Sequence, residues 1–585
     1  MRSSPVPTGC FLGPKSENAA WLRDQLDVVF DAWFEGRRRR FPGDDAQPAA
    51  SDAGTCRRTA ESLHALLAAL DQEVPTYTPR YLGHMVSDPA LPALLGHVAA
   101  LLHNPNNTSR EAAKVGTAIE AEAIAMLARM IGYDPGAARG HFTSGGTVAN
   151  LEAVWRARFR LDHRLALGLA LAEAEGRPLD VFAAAHMTEA RFQERLAALG
   201  EEAAMRACSG VLNNPYEIAE RLRRASGRPY RGPVIIAPGH RHYSWIKAAN
   251  VFGLGEAACW TAPLDADGRL DAEGLMACIR RARAEHRPIL MVVGVAGTTE
   301  LGAIDPVDKV AGRLEALRDA EGVDIWLHVD AAYGGFFCTL AADEPRLAPE
   351  RRRALAAIRR ADSVTVDPHK LGYVPYACGA LLVRDSSRDA VSSFAAPYVE
   401  RAELGEAPWT RTLEGSRPAT GAAAVWMMGR SVGFGPEGLG AVLRGAIEGR
   451  AAIAEALAQL PDVRLLEPAD TNILCFSIAA EGEALSAANA RTSAAHAWFA
   501  ASPNLSLSRT VLGTESAPDL VRRHVRSFRG RMDSDRLVLL RCVVMNPLWG
   551  EADARARLLP QLVSELRSAI DAGAEAAGRR AAAPA

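Results

Sequence analysis

Between about Gly132 and Arg384 short apolar runs alternate with amphipathic stretches. Val234–Ala237, Ile289–Val295, Ile325–Val329 and Leu381–Val383 are largely apolar runs of strand length, the pattern of strands buried on both faces. Ala272–Arg283 and Val307–Ala320 lie between some of them with apolar residues at helical spacing. This alternation predicts an α/β fold, a mostly parallel sheet covered by helices on both sides. In such sheets ligands bind beyond the carboxyl ends of the strands, so the residues that follow each apolar run are the candidates for chemistry.

Before and after this region the pattern changes. Glu17–Phe34 reads as an amphipathic helix with Leu22, Leu26, Val29 and Trp33 on one face; Arg37–Arg40 and a Pro/Gly/Asp/Ala-rich stretch to about Gly54 read as a linker with a solvated basic face. A single core stops growing at roughly 250–300 residues, so the 585 residues divide. The expected parts are an N-terminal helical arm and linker (1–75), a helical segment packing on the active site (76–131), a large domain (132–432) with an Ala/Arg/Glu-rich helical excursion at 156–231, a small C-terminal α/β domain (433–570), and an Ala-rich tail (571–585) expected to fray.

Composition excludes several classes. A formal net charge of −2 gives no electrostatic reason to expect nucleic acid. No run reaches the ~18 apolar residues of a membrane span, and Met1–Ala20 has no apolar signal core, so no membrane partner is expected. Nine cysteines are scattered without a C-x-x-C pair, which argues against a disulfide framework or a zinc knuckle and for a reducing cytoplasm. No metal site is expected.

Five segments carry polar residues at predicted strand ends. Thr143-Ser144-Gly145-Gly146-Thr147 opens a helix with Leu151, Val154, Trp155 and Phe159 on one face. Small residues let backbone N–H groups approach an anion, and the helix N-terminus favours negative charge; a Gly-Gly turn before a helix is, however, more often only a turn. His328-Val329-Asp330-Ala331-Ala332 ends a strand in a carboxylate that could hold a pyridinium N–H beside a flat ring, or could cap the next turn. In Asp367-Pro368-His369-Lys370 the strand is stopped by Pro368, and Lys370 is flanked by Leu371, Gly372 and Tyr373 rather than by charges. Gly239-His240-Arg241-His242-Tyr243-Ser244-Trp245 follows one apolar run and Gly297-Thr298-Thr299 another. Each alone is ordinary loop chemistry; together they mark one edge of a sheet.

In this order the segments resemble the group II pyridoxal-phosphate decarboxylases, which include aromatic amino acid, glutamate and tyrosine decarboxylases. The likeness is best to the bacterial tyrosine decarboxylases, through Thr78–Met85, His242–Ala249, Ser363–Tyr376, Leu413–Arg417 and Val538–Pro547. It spans roughly Thr76 to Leu566 and implies a fold-type I (aspartate aminotransferase-like) architecture: a large pyridoxal 5'-phosphate-binding domain with a mostly parallel seven-stranded sheet, a small C-terminal α/β domain and an N-terminal helical segment. It implies a homodimer with shared active sites acting on a small amino acid.

Residue by residue, the resemblance implies that Lys370 carries the cofactor and Asp330 pairs with its pyridine nitrogen. His242 stacks on one ring face and Ala332 packs on the other. Gly146 and Thr147 bind the phosphate with Asp367 and His369 nearby, Thr299 lies close to the ring, and Ser416 reaches the phosphate of the neighbouring subunit. Tyr398 matches the tyrosine of the family's catalytic loop, the proton donor to Cα. His84 and Tyr376 fall on the substrate side, where Cys542 and Val543 are also expected. One stretch departs from the family pattern, Glu111–Thr117, which bears on the side chains lining the substrate pocket.

The expected reaction is decarboxylation of an L-amino acid to the amine and CO2, with an aromatic substrate such as L-tyrosine. A pocket lined by Cys542, Val543 and Val544 would also suit valine or leucine, whereas no obvious basic residue awaits a distal carboxylate. An aromatic aldehyde synthase shares the site but tends to carry Phe where this chain has Tyr398. Another fold-type I lyase would lack the His242-to-Tyr376 spelling. An inactive scaffold would have lost Lys370, Asp330 or the Gly146-Thr147 turn, and all are present.

Overall fold

The structure is a computed structural model that describes residues 8–41, 52–200, 202–389, 391, 408–502 and 504–582. Its strands in chain order are β1 (Tyr81–Leu82), β2 (Arg139–Thr143), β3 (Val234–Pro238), β4 (Cys259–Ala262), β5 (Ile289–Val295), β6 (Leu327–Asp330), β7 (Ser363–Val366), β8 (Gly379–Val383), β9 (Val463–Leu465), β10 (Ile473–Ile478), β11 (Ser506–Gly513) and β12 (Arg536–Val543). The large sheet has seven strands in the order β2-β8-β7-β6-β5-β3-β4. Only β8 runs antiparallel to its neighbours.

Side chains of the central strands alternate between two cores. Val234, Ile236 and Val292 face one, with Leu275, Ile279, Val310 and Leu314 of the helices Ala272–Ala284 and Val307–Glu321. Ile235, Ala237, Met291 and Val293 face the other, under the helix Gly146–Glu175. Each fully buried aliphatic side chain contributes about 1.5–3 kcal/mol, which is why β5, buried at all seven positions, reads in the sequence as an uninterrupted apolar run. Asp271 starts the helix Ala272–Ala284 by accepting from the amides of Glu273 and Gly274 at 3.1 and 3.2 Å.

The second sheet has the order β1-β11-β12-β10-β9 and encloses its own core, with Ile453, Leu474, Phe476, Phe499 and Leu540. β1 joins it parallel to β11, Tyr81 opposite Ser506. The 76–131 segment therefore reaches the site by adding an edge strand to the C-terminal sheet, and Leu82, fully buried there, anchors it.

Several elements differ from the sequence pattern. The first helix runs Ala19–Arg40 and takes in all four arginines. A second helix, Ala53–Leu70, begins where the linker was expected, with Asp52 accepting from the amides of Gly54 and Thr55 at 3.1 and 2.9 Å. Its leucines, Leu63, Leu66, Leu67 and Leu70, are exposed, so burial within the chain does not hold it. The last helix extends from Ala552 to Ala582 through the stretch expected to fray; Ala, Glu and Arg there are strong helix formers. No helix among the described residues is long and apolar enough to cross a membrane.

Candidate active site

The ends of β3, β5, β6 and β7 and the turn after β2 enclose a cleft of about 290 Å3. It is lined by Gly146, Thr147, His242, Thr299, Asp330, Ala332, Asp367, His369 and Lys370, together with His240, Asn150 and Tyr243. A larger cavity of about 850 Å3 lies elsewhere, between residues 9–18, 77–88, 546–551 and the last helix, and holds none of the candidate catalytic, cofactor-binding or substrate residues.

Lys370 stands in a tight turn after β7, its amide bonded to the Asp367 carbonyl at 3.0 Å. Its Nζ lies 3.0 Å from Asp367 Oδ2. Burial works against the ammonium, but Asp367 and then Asp330 outweigh it and hold the lysine pKa above its usual value. Asp330, the last residue of β6, is buried and well held: Oδ2 accepts from Asn150 Nδ2 at 2.9 Å and Trp245 Nε1 at 3.1 Å, and Oδ1 from the Ala332 amide at 3.3 Å.

His242 follows β3 and its Nδ1 is 2.9 Å from Ser244 Oγ; burial lowers its pKa. His369 takes the Cys378 amide on Nδ1 at 3.2 Å, and its ring lies 4.3 Å from that of Tyr376. Tyr376 is otherwise exposed at the rim.

The floor fits a flat ring bearing an anion. The helix Gly146–Glu175 starts with no side-chain cap, leaving N-terminal amides for an anion. A Cβ at Gly146 would sit 2.8 Å from Asp367 Oδ2 and 3.2 Å from the Ala332 Cβ, and one at Gly379 would meet the Gly145 Cα at 2.5 Å. Only glycine allows that approach. The turn is fixed from behind by Glu120, whose Oε1 accepts from the Phe142 amide at 3.0 Å and pairs with Arg417 at 2.5 Å.

His84 stands at the rim with Nδ1 3.2 Å from Arg541 Nη2. Ser416 is exposed away from this chain's cleft, its Oγ accepting from Asn106 Nδ2 at 3.1 Å. Tyr398 lies outside the described residues. Cys542 and Val543 do not line the cleft. Along β12 the Cys542 side chain turns into the small-domain core with Leu474 and Leu540, while Val543 joins the opposite core with Ile473 and Met545. Burial pushes the Cys542 thiol far up. The support these two lent to an aliphatic substrate falls away with that placement.

Asn150 carried little sequence signal, and His240 and Trp245 were legible only as members of the Gly239–Trp245 segment. Asn150 and Trp245 lie inside helices that only the fold brings against Asp330. His240 is buried with Nε2 2.9 Å from Asp305 Oδ1; burial pulls its pKa down, but Asp305 more than offsets this and the net shift is upward. Arg541 did have a signal, a lone charge inside the apolar run of β12. It is buried, bonds Ser508 Oγ at 2.9 Å and the Thr299 carbonyl, and among the described residues has no carboxylate within ion-pair reach.

Residues 217–479 match the family model described as the pyridoxal-dependent decarboxylase conserved domain. The chain is 31% identical to an L-tyrosine decarboxylase of Levilactobacillus brevis over 75% of its own length and 73% of that protein. It is 30% identical to that of Enterococcus faecium, over 77% of each. An aspartate 1-decarboxylase of Aliivibrio fischeri is 31% identical over 60% of this chain and 56% of that protein. Among solved structures, Oryza sativa TDC with PLP and tryptamine superposes with a TM-score of 0.64 at 18% identity, covering 95% of this chain and 98% of that one. Mouse CSAD in its apo form gives 0.63 at 20% identity, covering 94% and 98%. The chain belongs to the pyridoxal-dependent decarboxylases of group II, near the tyrosine decarboxylases, and is a fold-type I carboxy-lyase that uses pyridoxal phosphate to remove the carboxylate of an amino acid.

Proposed function

We propose that the enzyme converts an aromatic L-amino acid, L-tyrosine foremost, to its amine and CO2. The observation that carries this reading is the convergence of Lys370, Asp330, His242 and the Gly146-Thr147 turn in one cleft, on a chain 30–31% identical to tyrosine decarboxylases over about three quarters of its length, against 28% to an L-2,4-diaminobutyrate decarboxylase of Rhizobium meliloti.

Pyridoxal phosphate, when bound, supplies an electron sink for the pair left at Cα as CO2 departs. Lys370 would hold it through the ε-amine. Asp330, oriented by its three donors, would keep the ring nitrogen protonated as a neighbouring anion. His242 and Ala332 would restrict the ring. Gly146 and Thr147 would hold the phosphate at the helix N-terminus, with Asp367, His369 and Thr299 in the same cleft. His84 and Tyr376 stand at the substrate side and limit water there.

The homodimer belongs to the same reading. The helices Ala19–Arg40 and Ala53–Leu70 leave Trp21, Phe34, Leu63, Leu66 and Leu70 exposed, an apolar surface that a second copy would cover, and Ser416 is free to approach a partner's phosphate. Nine cysteines scattered without a C-x-x-C pair suit the reducing cytoplasm.

A second reading, an acidic substrate, is favoured by Arg541, whose guanidinium flanks His84 and Thr299 with no carboxylate at ion-pair distance among the described residues, Glu300 acting on it only from farther off. A panel of L-tyrosine, L-phenylalanine, L-tryptophan, L-leucine, L-valine, L-aspartate and L-glutamate, assayed for CO2 and amine, tests both. The highest kcat/KM on L-tyrosine supports the first reading; the highest on L-aspartate or L-glutamate replaces it with the second, and on L-leucine or L-valine overturns both.

A further inference from the structure

His242 and Asp330 are joined through the protein by a buried relay. Asn150, 1% exposed, lies one turn inside the helix Gly146–Glu175. Its Nδ2 donates to Asp330 Oδ2 at 2.9 Å and to Ser244 Oγ at 3.0 Å. Turning the amide over would aim Oδ1 at a carboxylate that has no proton to give, so the orientation is determined. An amide nitrogen only donates, so Ser244 Oγ accepts from Asn150 and its own hydrogen is left for His242 Nδ1, 2.9 Å away. The Ser244 amide converges on the same nitrogen at 3.3 Å. Two donors aimed at Nδ1 make it an acceptor, and the neutral ring then carries its hydrogen on Nε2. Nε2 has no protein hydrogen bond among the described residues and is not sealed off.

We propose that Asn150 is a positioning residue: through Ser244 it fixes His242 as the Nε2–H tautomer, a hydrogen-bond donor toward the cleft, and couples that ring to the carboxylate of Asp330. This rests on the reading of Asp330 and His242 as the groups that meet the cofactor ring. Trp245 supports Asp330 alone, from Nε1 at 3.1 Å. The charged or titratable groups around the relay are Asp330, Asp367, Lys370, Lys247, His328 and Tyr243, whose ring lies 4.1 Å from that of His242.

The relay can be cut on either side. Holoenzyme and apoenzyme of Asn150→Ala, Ser244→Ala and Trp245→Phe are compared by cofactor dissociation constant, by the pH dependence of the bound cofactor's visible absorption, and by kcat and KM on the preferred amino acid. Ser244→Ala severs only the His242 side, so cofactor affinity stays within about twofold while kcat falls about tenfold. Trp245→Phe weakens cofactor binding and shifts its absorption profile. Asn150→Ala does both, each by about ten- to a hundredfold, the range for a hydrogen bond to a charged group. Should Asn150→Ala fold poorly, Asn150→Asp keeps the volume but removes the donor. Its cofactor affinity falls at neutral pH and recovers as the pH drops and the new carboxyl is protonated. Wild-type affinity and pH profile in Asn150→Ala, or an Asn150→Asp enzyme with no acid recovery, overturns the relay. Asp330→Asn separates the two levels: if it too binds and titrates the cofactor like wild type, the ring-nitrogen reading has failed; if it is impaired while Asn150→Ala is not, only the relay has.

Discussion

Nζ of Lys370, half-buried, and Oδ2 of Asp367, buried, form an ion pair at 3.0 Å, three residues apart in the turn that ends β7. Burial alone would push the lysine toward its neutral form; Asp367 and Asp330 reverse that and raise its pKa. Because the folded pKa lies above the unfolded 10.5, the pair's contribution to stability is complete below that pH and is lost as pH climbs through the folded value. The amine must shed its proton to take the cofactor. Asp367→Asn removes the first carboxylate, so the pH at which covalent capture by apoenzyme is half-maximal should move down. Stopped-flow absorbance against pH reads it, and an unmoved midpoint contradicts the pairing.

Gly146→Ala should fold, since alanine is a good helix former, yet lose cofactor affinity about ten- to a hundredfold from overpacking against Asp367 and Ala332. Absorbance titration measures it. Pyridoxal without the phosphate should lose affinity for the variant as well, since the added methyl crowds Ala332 and Asp367 beside the ring.

Cys542→Ser places a hydroxyl in the small-domain core beside Leu474 and Leu540. Stability should drop by about 1–3 kcal/mol in urea unfolding, with KM for the preferred amino acid within about twofold of wild type. A large change in KM with unchanged stability would return Cys542 to the substrate pocket.

Asp88 sits beside the larger cavity, and burial raises its carboxyl to about 6 despite the Leu12 amide that it accepts. An acid whose folded pKa exceeds its unfolded 3.8 binds more protons folded than unfolded, so stability falls as pH rises between those values and stays lower above them. Asp88→Asn keeps an acceptor for Leu12 and cannot ionise. It should be more stable than wild type by about 1–2 kcal/mol at pH above about 6, after allowance for partial exposure, and indistinguishable below about pH 4. Thermal unfolding across that range decides it.

The central sheet was legible because its strands are buried on both faces. β5 was read to the residue, and Asp330 and Lys370 stood out as polar groups closing apolar runs. The edges were not: β4 is four residues with an exposed threonine, and β2 carries Arg139 and His141, so neither has a strand's apolar signature. The helix Ala53–Leu70 buries nothing in this chain, so its residues gave no core signal. Cys542 and Val543 were misplaced by treating neighbours on one strand as sharing a face, when the pleat sends them to opposite cores. Asn150 has no signal, because its contact with Asp330 spans 180 positions of sequence.

The chain has five lysines, Lys15, Lys114, Lys247, Lys309 and Lys370, and only Lys370 lines the cleft. Borohydride reduction of holoenzyme followed by peptide mass mapping therefore tests the account most directly. The pyridoxyl-phosphate mass should fall on the peptide bearing Lys370, with the visible band lost. A label on any of the other four lysines, or none, would contradict the site.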